Sequence, residues 1–135
     1  QASDVPFSIQ AEMIKKTIQF GPCVFVGCCA DYVLHDVKDV FNIFIYADKF
    51  YRMDQIVHKY GLEPEQAAGY IIKKDRERAN YYNLYTNQKW GDPNNYDLIL
   101  DSADTNTESI TELIRVEIAK KEREESAFYL RASAV

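Results

Sequence analysis

A chain of 135 residues is the size of one domain and can bury a core of its own. With 47% hydrophobic and 27% charged residues, it reads as folded rather than disordered. A net charge of −5 argues against general nucleic-acid binding, so any basic patch has to be local.

The opening Gln1-Ala2-Ser3-Asp4 has neither a basic n-region nor an apolar h-region, so no secretory signal is expected. Residues 8–19 read as an amphipathic helix, with Ile9, Met13, Ile14, Thr17 and Ile18 at helical spacing. Gly21-Pro22 stops it. Cys23-Val24-Phe25-Val26-Gly27 is a short apolar run ending in glycine and reads as a buried strand. A brief helix follows from about Ala30 to Leu34. Cys23, Cys28 and Cys29 are odd in number and two are adjacent, which suits a reducing cytoplasm better than a disulfide framework. No CxxC occurs and His35 and His58 are isolated, so no metal site is expected.

Residues 40–47 form the clearest strand, apolar at nearly every position. Asp48 caps a helix running to about Tyr60, which Gly61 ends. Pro64 sits in the first turn of the next helix. That helix carries the densest basic run: residues 70–90 hold five Lys or Arg against two acids. Arg presents a planar fork of donors matched to phosphate oxygens and Lys adds point charge, so the run suits a segment closing over anionic phosphates. Asp92-Pro93-Asn94-Asn95 is a turn, and residues 96–101 form a third strand. Thr105-Asn106-Thr107-Glu108 reads as a capping box opening a long helix with Ile110, Leu113, Ile114 and Ile118 on one face. The pattern fades after Arg123, leaving 126–135 as a tail or partner-bound segment. No apolar run reaches the roughly 18–20 residues of a membrane span, and no membrane or nucleic-acid partner is expected.

Strands alternating with helices describe an α/β fold: a three-layer arrangement with a mainly parallel sheet flanked by helices. One domain is expected over 1–125, with a helical LID at about 63–92. Ligands in such sheets gather at the carboxyl ends of strands, here Gly27-Cys28-Cys29, Asp48 and Asp101-Ser102.

Four blocks carry a resemblance: residues 23–34, residues 41–48, Arg78-Ala79-Asn80-Tyr81-Tyr82-Asn83, and Lys89-Trp90-Gly91-Asp92. In this order they resemble the cytidylate kinase-like family, from about Phe7 to about Ile118. The resemblance implies a P-loop nucleoside monophosphate kinase fold and transfer of the ATP γ-phosphate to CMP or dCMP. It implies monophosphate binding by the segment after Gly27, with Cys28 and Asp31, and by the Asp48–Arg52 region. It makes the Lys73–Arg78 helix a LID, with Lys73, Lys74 and Asp75 at the substrate and Arg76 and Arg78 as the catalytic cations. Phosphoryl transfer needs mainly positioning and charge neutralisation, so cations on a closing lid are apt machinery.

Two departures stand out. None of the five glycines lies in a GxxxxGK[ST] pattern, and only 22 residues precede the first expected strand, where a strand, loop and helix take roughly 30. The chain therefore reads either as a C-terminal portion lacking the N-terminal strand and P-loop or as a degenerate relative, and is expected to be inactive alone; Mg-ATP is expected for the full-length family and not as a tight ligand of this chain. The family usually places Arg after the glycine, where this chain has Cys28.

Plainer readings stand beside these. The basic run suits a solvated helix face, Cys28-Cys29 suits strand-end packing, and Asp31 reads equally as a substrate contact or a helix cap. Asp48 reads first as a cap and Arg52 as a surface residue. Tyr81, Tyr82, Tyr85 and Trp90 fit packing of a lid helix better than stacking on a base. The functional alternatives are a cytidylate-type kinase, or a non-catalytic nucleotide-binding or regulatory module. A thin core with open strand edges adds the expectation of a homo-oligomer.

Overall fold

The computed structural model describes the backbone of residues 5–27 and 29–133, and their side chains as far as residue 125. In chain order the elements are α1 (Phe7–Thr17), α2 (Ala30–Val33), β1 (Ile43–Tyr46), α3 (Lys49–Tyr60), α4 (Pro64–Thr86), β2 (Leu98–Asp101) and α5 (Thr107–Ser133). Turns of 3-10 helix lie at Ile18–Phe20 and Pro93–Asn95. Two compact units divide the chain: Gln1–Val40 with Ile72–Asn95, and Phe41–Ile71 with Tyr96–Val135. No described helix is long and apolar enough to cross a membrane.

The first unit is built on a small apolar core of Ile14, Val33 and Leu34, against which Phe7, Ala11, Ile18, Phe25 and Val37 pack. Pro6 precedes α1 with extended backbone, and its carbonyl accepts from the amides of Ile9 and Gln10. Of the apolar stripe expected on α1, Ile14 is buried and Ile18 packs on the core, while Ile9 at 48% and Met13 at 61% are exposed and Gln10 is buried in their place. The cause is a polar side chain with its bonds made. Gln10 Nε2 donates to the Val5 carbonyl at 3.0 Å, and Tyr81 Oη donates to Gln10 Oε1 at 3.3 Å. A satisfied amide is tolerated inside, and it sets which side of the helix faces inward.

The expected strand at residues 23–27 is not formed. Residues 22–26 have no regular secondary structure, and Val24 and Val26 are each 91% exposed. Phe25 alone of this run packs on the core. A strand exists only with a hydrogen-bonded neighbour, and the sheet of the described residues consists of β1 and β2. The architecture is therefore mixed α/β, mostly helical, with a two-stranded sheet where three strands were expected.

The second unit holds that sheet. β1 and β2 pair in parallel, from Ile43 with Leu98 to Tyr46 with Asp101. Parallel partners need a long crossover, and α3 and α4 lie between them in the chain. Both ends of the ladder are tied. The Asn42 carbonyl accepts from the amides of Asp97 and Leu98 at 2.8 and 3.2 Å, and Asn42 N–H donates to Asp97 Oδ2 at 2.7 Å. At the other end the Ser102 amide donates to the Tyr46 carbonyl at 2.9 Å. Asp97 also takes Lys121 of α5 on its second oxygen, at 3.1 Å.

Helix ends follow the local chemistry closely. Asp48 Oδ1 accepts from the Tyr51 amide at 3.0 Å and caps α3. Gly61 ends it with φ +65°, a left-handed turn that a side chain would resist. α5 is capped by Asn106, whose Oδ1 accepts from the Ser109 amide at 2.9 Å, so it begins one residue later than a Thr105 cap implies. The backbone of α5 stays helical to Ser133, across most of the segment expected as a tail.

The exposure of α1 makes a stability test direct. Ile14→Ala removes a core side chain and should cost roughly 2–5 kcal/mol, while Met13→Ala should change little. Urea midpoints of the two variants, read against the parent, check this.

Candidate functional site

α4 changes unit at Ile72, so the whole Lys73–Arg78 run lies in the first unit, with Gly27 and Asp31. Asp48 and Arg52 belong to the second. Cys28 lies outside the described residues.

Helical spacing sorts the cations of α4. Asp75, Arg78, Tyr82 and Thr86 recur three and four residues apart and share one face, on which Tyr82 and Thr86 are buried. Lys74 stands beside that face. Lys73 falls on the opposite side and Arg76 on the other flank, and both are exposed.

The near-face charges are paired along the helix. Arg78 Nη1 lies 3.4 Å from Asp75 Oδ1, and Lys74 Nζ lies 3.0 Å from Glu77 Oε2. Both pairs are largely solvated and tie the cations weakly. The hydrogen bond from Lys74 holds the Glu77 carboxyl below its ordinary range. Desolvation works the other way, and the charges of Lys74, Lys73 and Arg78 add to the lowering. An anion of higher charge can therefore compete for Lys74 and Arg78 at little cost. Lys73 and Arg76 have no ion-pair or hydrogen-bond partner among the described residues.

Asp31 sits in the first turn of α2. This turn follows Gly27 at φ +77° and Cys29 at φ +55°. Left-handed backbone at a non-glycine residue is uncommon, so the chain bends sharply before the helix. Of the two readings of Asp31, the cap is not seen: α2 has no side-chain cap. Its Oδ2 instead accepts a 2.6 Å hydrogen bond from Tyr82 Oη. The same hydroxyl lies 3.1 Å from Gln88 Oε1. A phenol has one proton, and the charged carboxylate at the shorter distance takes it. Below Tyr82, Thr86 Oγ1 donates to the Tyr82 carbonyl at 2.6 Å and accepts from the Gln88 amide at 3.1 Å.

The tyrosines of α4 do packing work. Phe7 and Tyr85 stack with centroids 4.7 Å apart, and Tyr81 tilts onto Tyr85 at 4.8 Å. Gln10, Tyr82, Thr86 and Gln88 were not singled out in the sequence as a polar network. Only the four-residue spacing from Arg78 to Tyr82 and Thr86 hints at it. The Cys29 side chain is buried, though no strand ends there.

Asp48 is occupied as the cap of α3 through Oδ1, and Arg52 lies four residues on, its amide donating to the Asp48 carbonyl at 3.1 Å. Among the described residues no group of three His, Cys, Asp or Glu side chains is placed to hold a metal ion.

Comparison with known proteins bears on this arrangement. The cytidylate kinase-like family matches residues 1–104. The chain belongs to the cytidylate kinase-like family. The match covers both blocks of the first unit, Gly27–Asp31 and Lys73–Arg78, and the β1–β2 pair. Among solved structures, an uncharacterised protein from Eubacterium ventriosum ATCC 27560 is similar, with 27% identity and a TM-score of 0.79. The similarity covers 84% of this chain and 65% of that one, so this chain spans less than two thirds of that structure's length. No curated protein matches.

The Lys74–Glu77 pair gives a pH test. A carboxylate with a lowered folded value keeps its pair above the unfolded value and loses it as pH falls through the lowered one. An NMR titration of the Glu77 side chain should show a midpoint below that of an unstructured glutamate. Lys74→Ala should move it back up.

Proposed function

We propose that this chain forms the monophosphate-binding part of a cytoplasmic nucleoside monophosphate kinase of cytidylate type, acting on CMP or dCMP. Membership of the cytidylate kinase-like family supports a nucleotide kinase-like role. The observation that carries the reading to particular residues is the shared face of α4. Arg78 stands four residues before Tyr82, about 6 Å along the axis, and Tyr82 holds Asp31. A phosphate-binding cation and a carboxylate thus occupy neighbouring positions in one unit.

In this reading Arg78 leaves Asp75 for the substrate phosphate, with Asp75 parking the guanidinium in the free protein. Lys74 adds charge on the same side, and Lys73 and Arg76 raise the local positive potential in a chain of net charge −5. Arg78 is the cation proposed to neutralise the transferring phosphoryl group when the LID, about 63–92, closes; Arg76, which the resemblance pairs with it, stands away from the Tyr82 face and acts in this reading only through its charge. Gly27, at φ +77°, allows the tight bend before Asp31; the substrate-side role of Cys28 in this reading rests on the family resemblance alone.

The residues present do not fit an Mg-ATP cradle. No GxxxxGK[ST] occurs in the 135 residues, and the described side chains offer no metal-holding cluster. A second reading is a non-catalytic nucleotide-binding or regulatory module, motivated by Cys28 standing where the resemblance places an Arg. Self-association belongs to the proposal as well, since the outer edges of the two-stranded sheet have no strand partner among the described residues.

Calorimetric titration with CMP, with ATP in parallel, tests the binding claim. CMP should bind saturably, and Arg78→Ala should weaken it roughly tenfold or more, as loss of a charge-assisted bond implies. No CMP binding would overturn the proposal. Binding without phosphoryl transfer from ATP would favour the second reading. Light scattering at micromolar concentration should give a dimer or larger species, and a monomer would remove the oligomer from the account.

A further inference from the structure

We infer that Asp31 is the group that reads the nucleoside, and that Tyr82 is its positioning residue. The inference rests on the nucleotide-binding reading above and adds to it what the site selects. Asp31 is half-buried, and one of its two oxygens is fixed by the 2.6 Å bond from Tyr82. The other oxygen, Oδ1, has no hydrogen-bond partner among the described residues. An ionised carboxylate accepts and does not donate. The free oxygen therefore calls for an N–H or O–H on the ligand and leaves an acceptor at that place unpaired. An unpaired polar group in a half-buried site is costly, which is what makes such a contact selective.

Tyr82 is suited to positioning. It is buried, its carbonyl accepts from Thr86 Oγ1, and its hydroxyl donates its one proton to Asp31. The phenol thus has little freedom to leave Asp31. Gly27 and Cys29, in left-handed conformations, set the backbone that presents Asp31, while Tyr82 fixes the carboxylate. Arg78, one turn away on the same helix, ties the phosphate reading to the same rigid element.

The donor Asp31 reads belongs to one of two parts of a cytidine nucleotide. Cytosine carries an exocyclic amine where uracil carries a carbonyl, and ribose carries a 2′-hydroxyl that deoxyribose lacks. Comparing UMP with CMP isolates the first, and dCMP with CMP the second.

The test is calorimetry with CMP, UMP and dCMP on the parent chain, Asp31→Asn and Tyr82→Phe, with far-UV circular dichroism confirming that each variant is folded. Asparagine keeps the shape of Asp31 but adds donors and removes the charge. The parent should prefer CMP over at least one of the other two. Asp31→Asn should reduce that preference roughly tenfold. Tyr82→Phe removes one oxygen and should reduce the same preference about threefold. A purely structural hydrogen bond would lower all affinities together and leave the ratios unchanged. If the parent binds CMP and the ratios persist in Asp31→Asn, Asp31 is not the reader. If they fall in Asp31→Asn but persist in Tyr82→Phe, Tyr82 is not its positioner. If the parent binds none of the three, the nucleotide-binding reading fails and this inference with it.

Discussion

The first unit depends on one face of one helix. Between Asp75 and Thr86, α4 offers the Tyr81 hydroxyl to Gln10, the Tyr82 hydroxyl to Asp31 and the Tyr85 ring to Phe7. Two of these contacts reach α1 and one reaches α2. They do what a larger apolar core would do in another domain, since among the described residues the buried apolar cluster is Ile14, Val33 and Leu34. Buried polar contacts of this kind are directional, so they fix the rotation of α4 about its axis more tightly than packing alone. Once that rotation is fixed, Arg78 and Lys74 stand on or beside the Tyr82 face, and Lys73 and Arg76 stand away from it.

The second unit is governed by a different constraint, the demand of a parallel pair for both strand alignment and a crossover. Asn42 and Asp97 exchange bonds at the start of the ladder, and Ser102 reaches back to Tyr46 at its end. Lys121 anchors α5 to Asp97 and lies 5.8 Å from the centre of the Phe41 ring. The register is thus held by side chains outside the strands as well as by the strands themselves.

Much of this was legible in the chain because it rests on local chemistry. Asp48 and Gly61 bound α3 where a cap and a left-handed glycine should, and Pro64 opens α4. The run that forms β1 is continuous and apolar, and β2 sets Leu98, Ile99 and Leu100 between Asp97 and Asp101. What could not be read depends on partners far along the chain. Residues 23–27 look like a strand, but strand formation needs a neighbour that local pattern does not supply. The inward turn of α1 depends on Tyr81, 71 residues away from Gln10. The same holds for Asp31, whose partner Tyr82 lies 51 residues on. The basic run was evident as composition, yet the division of its cations between two faces needed the buried positions of Tyr82 and Thr86.

The central claim is that the Gly27–Asp31 turn and the Asp75–Tyr82 face of α4 form one nucleotide-responsive site. A residue-resolved NMR titration of the backbone amides with CMP tests it most directly. The account predicts shifts that saturate together and centre on Gly27, Ala30, Asp31, Arg78 and Tyr82. Saturating shifts confined to other parts of the chain, or none, would contradict it.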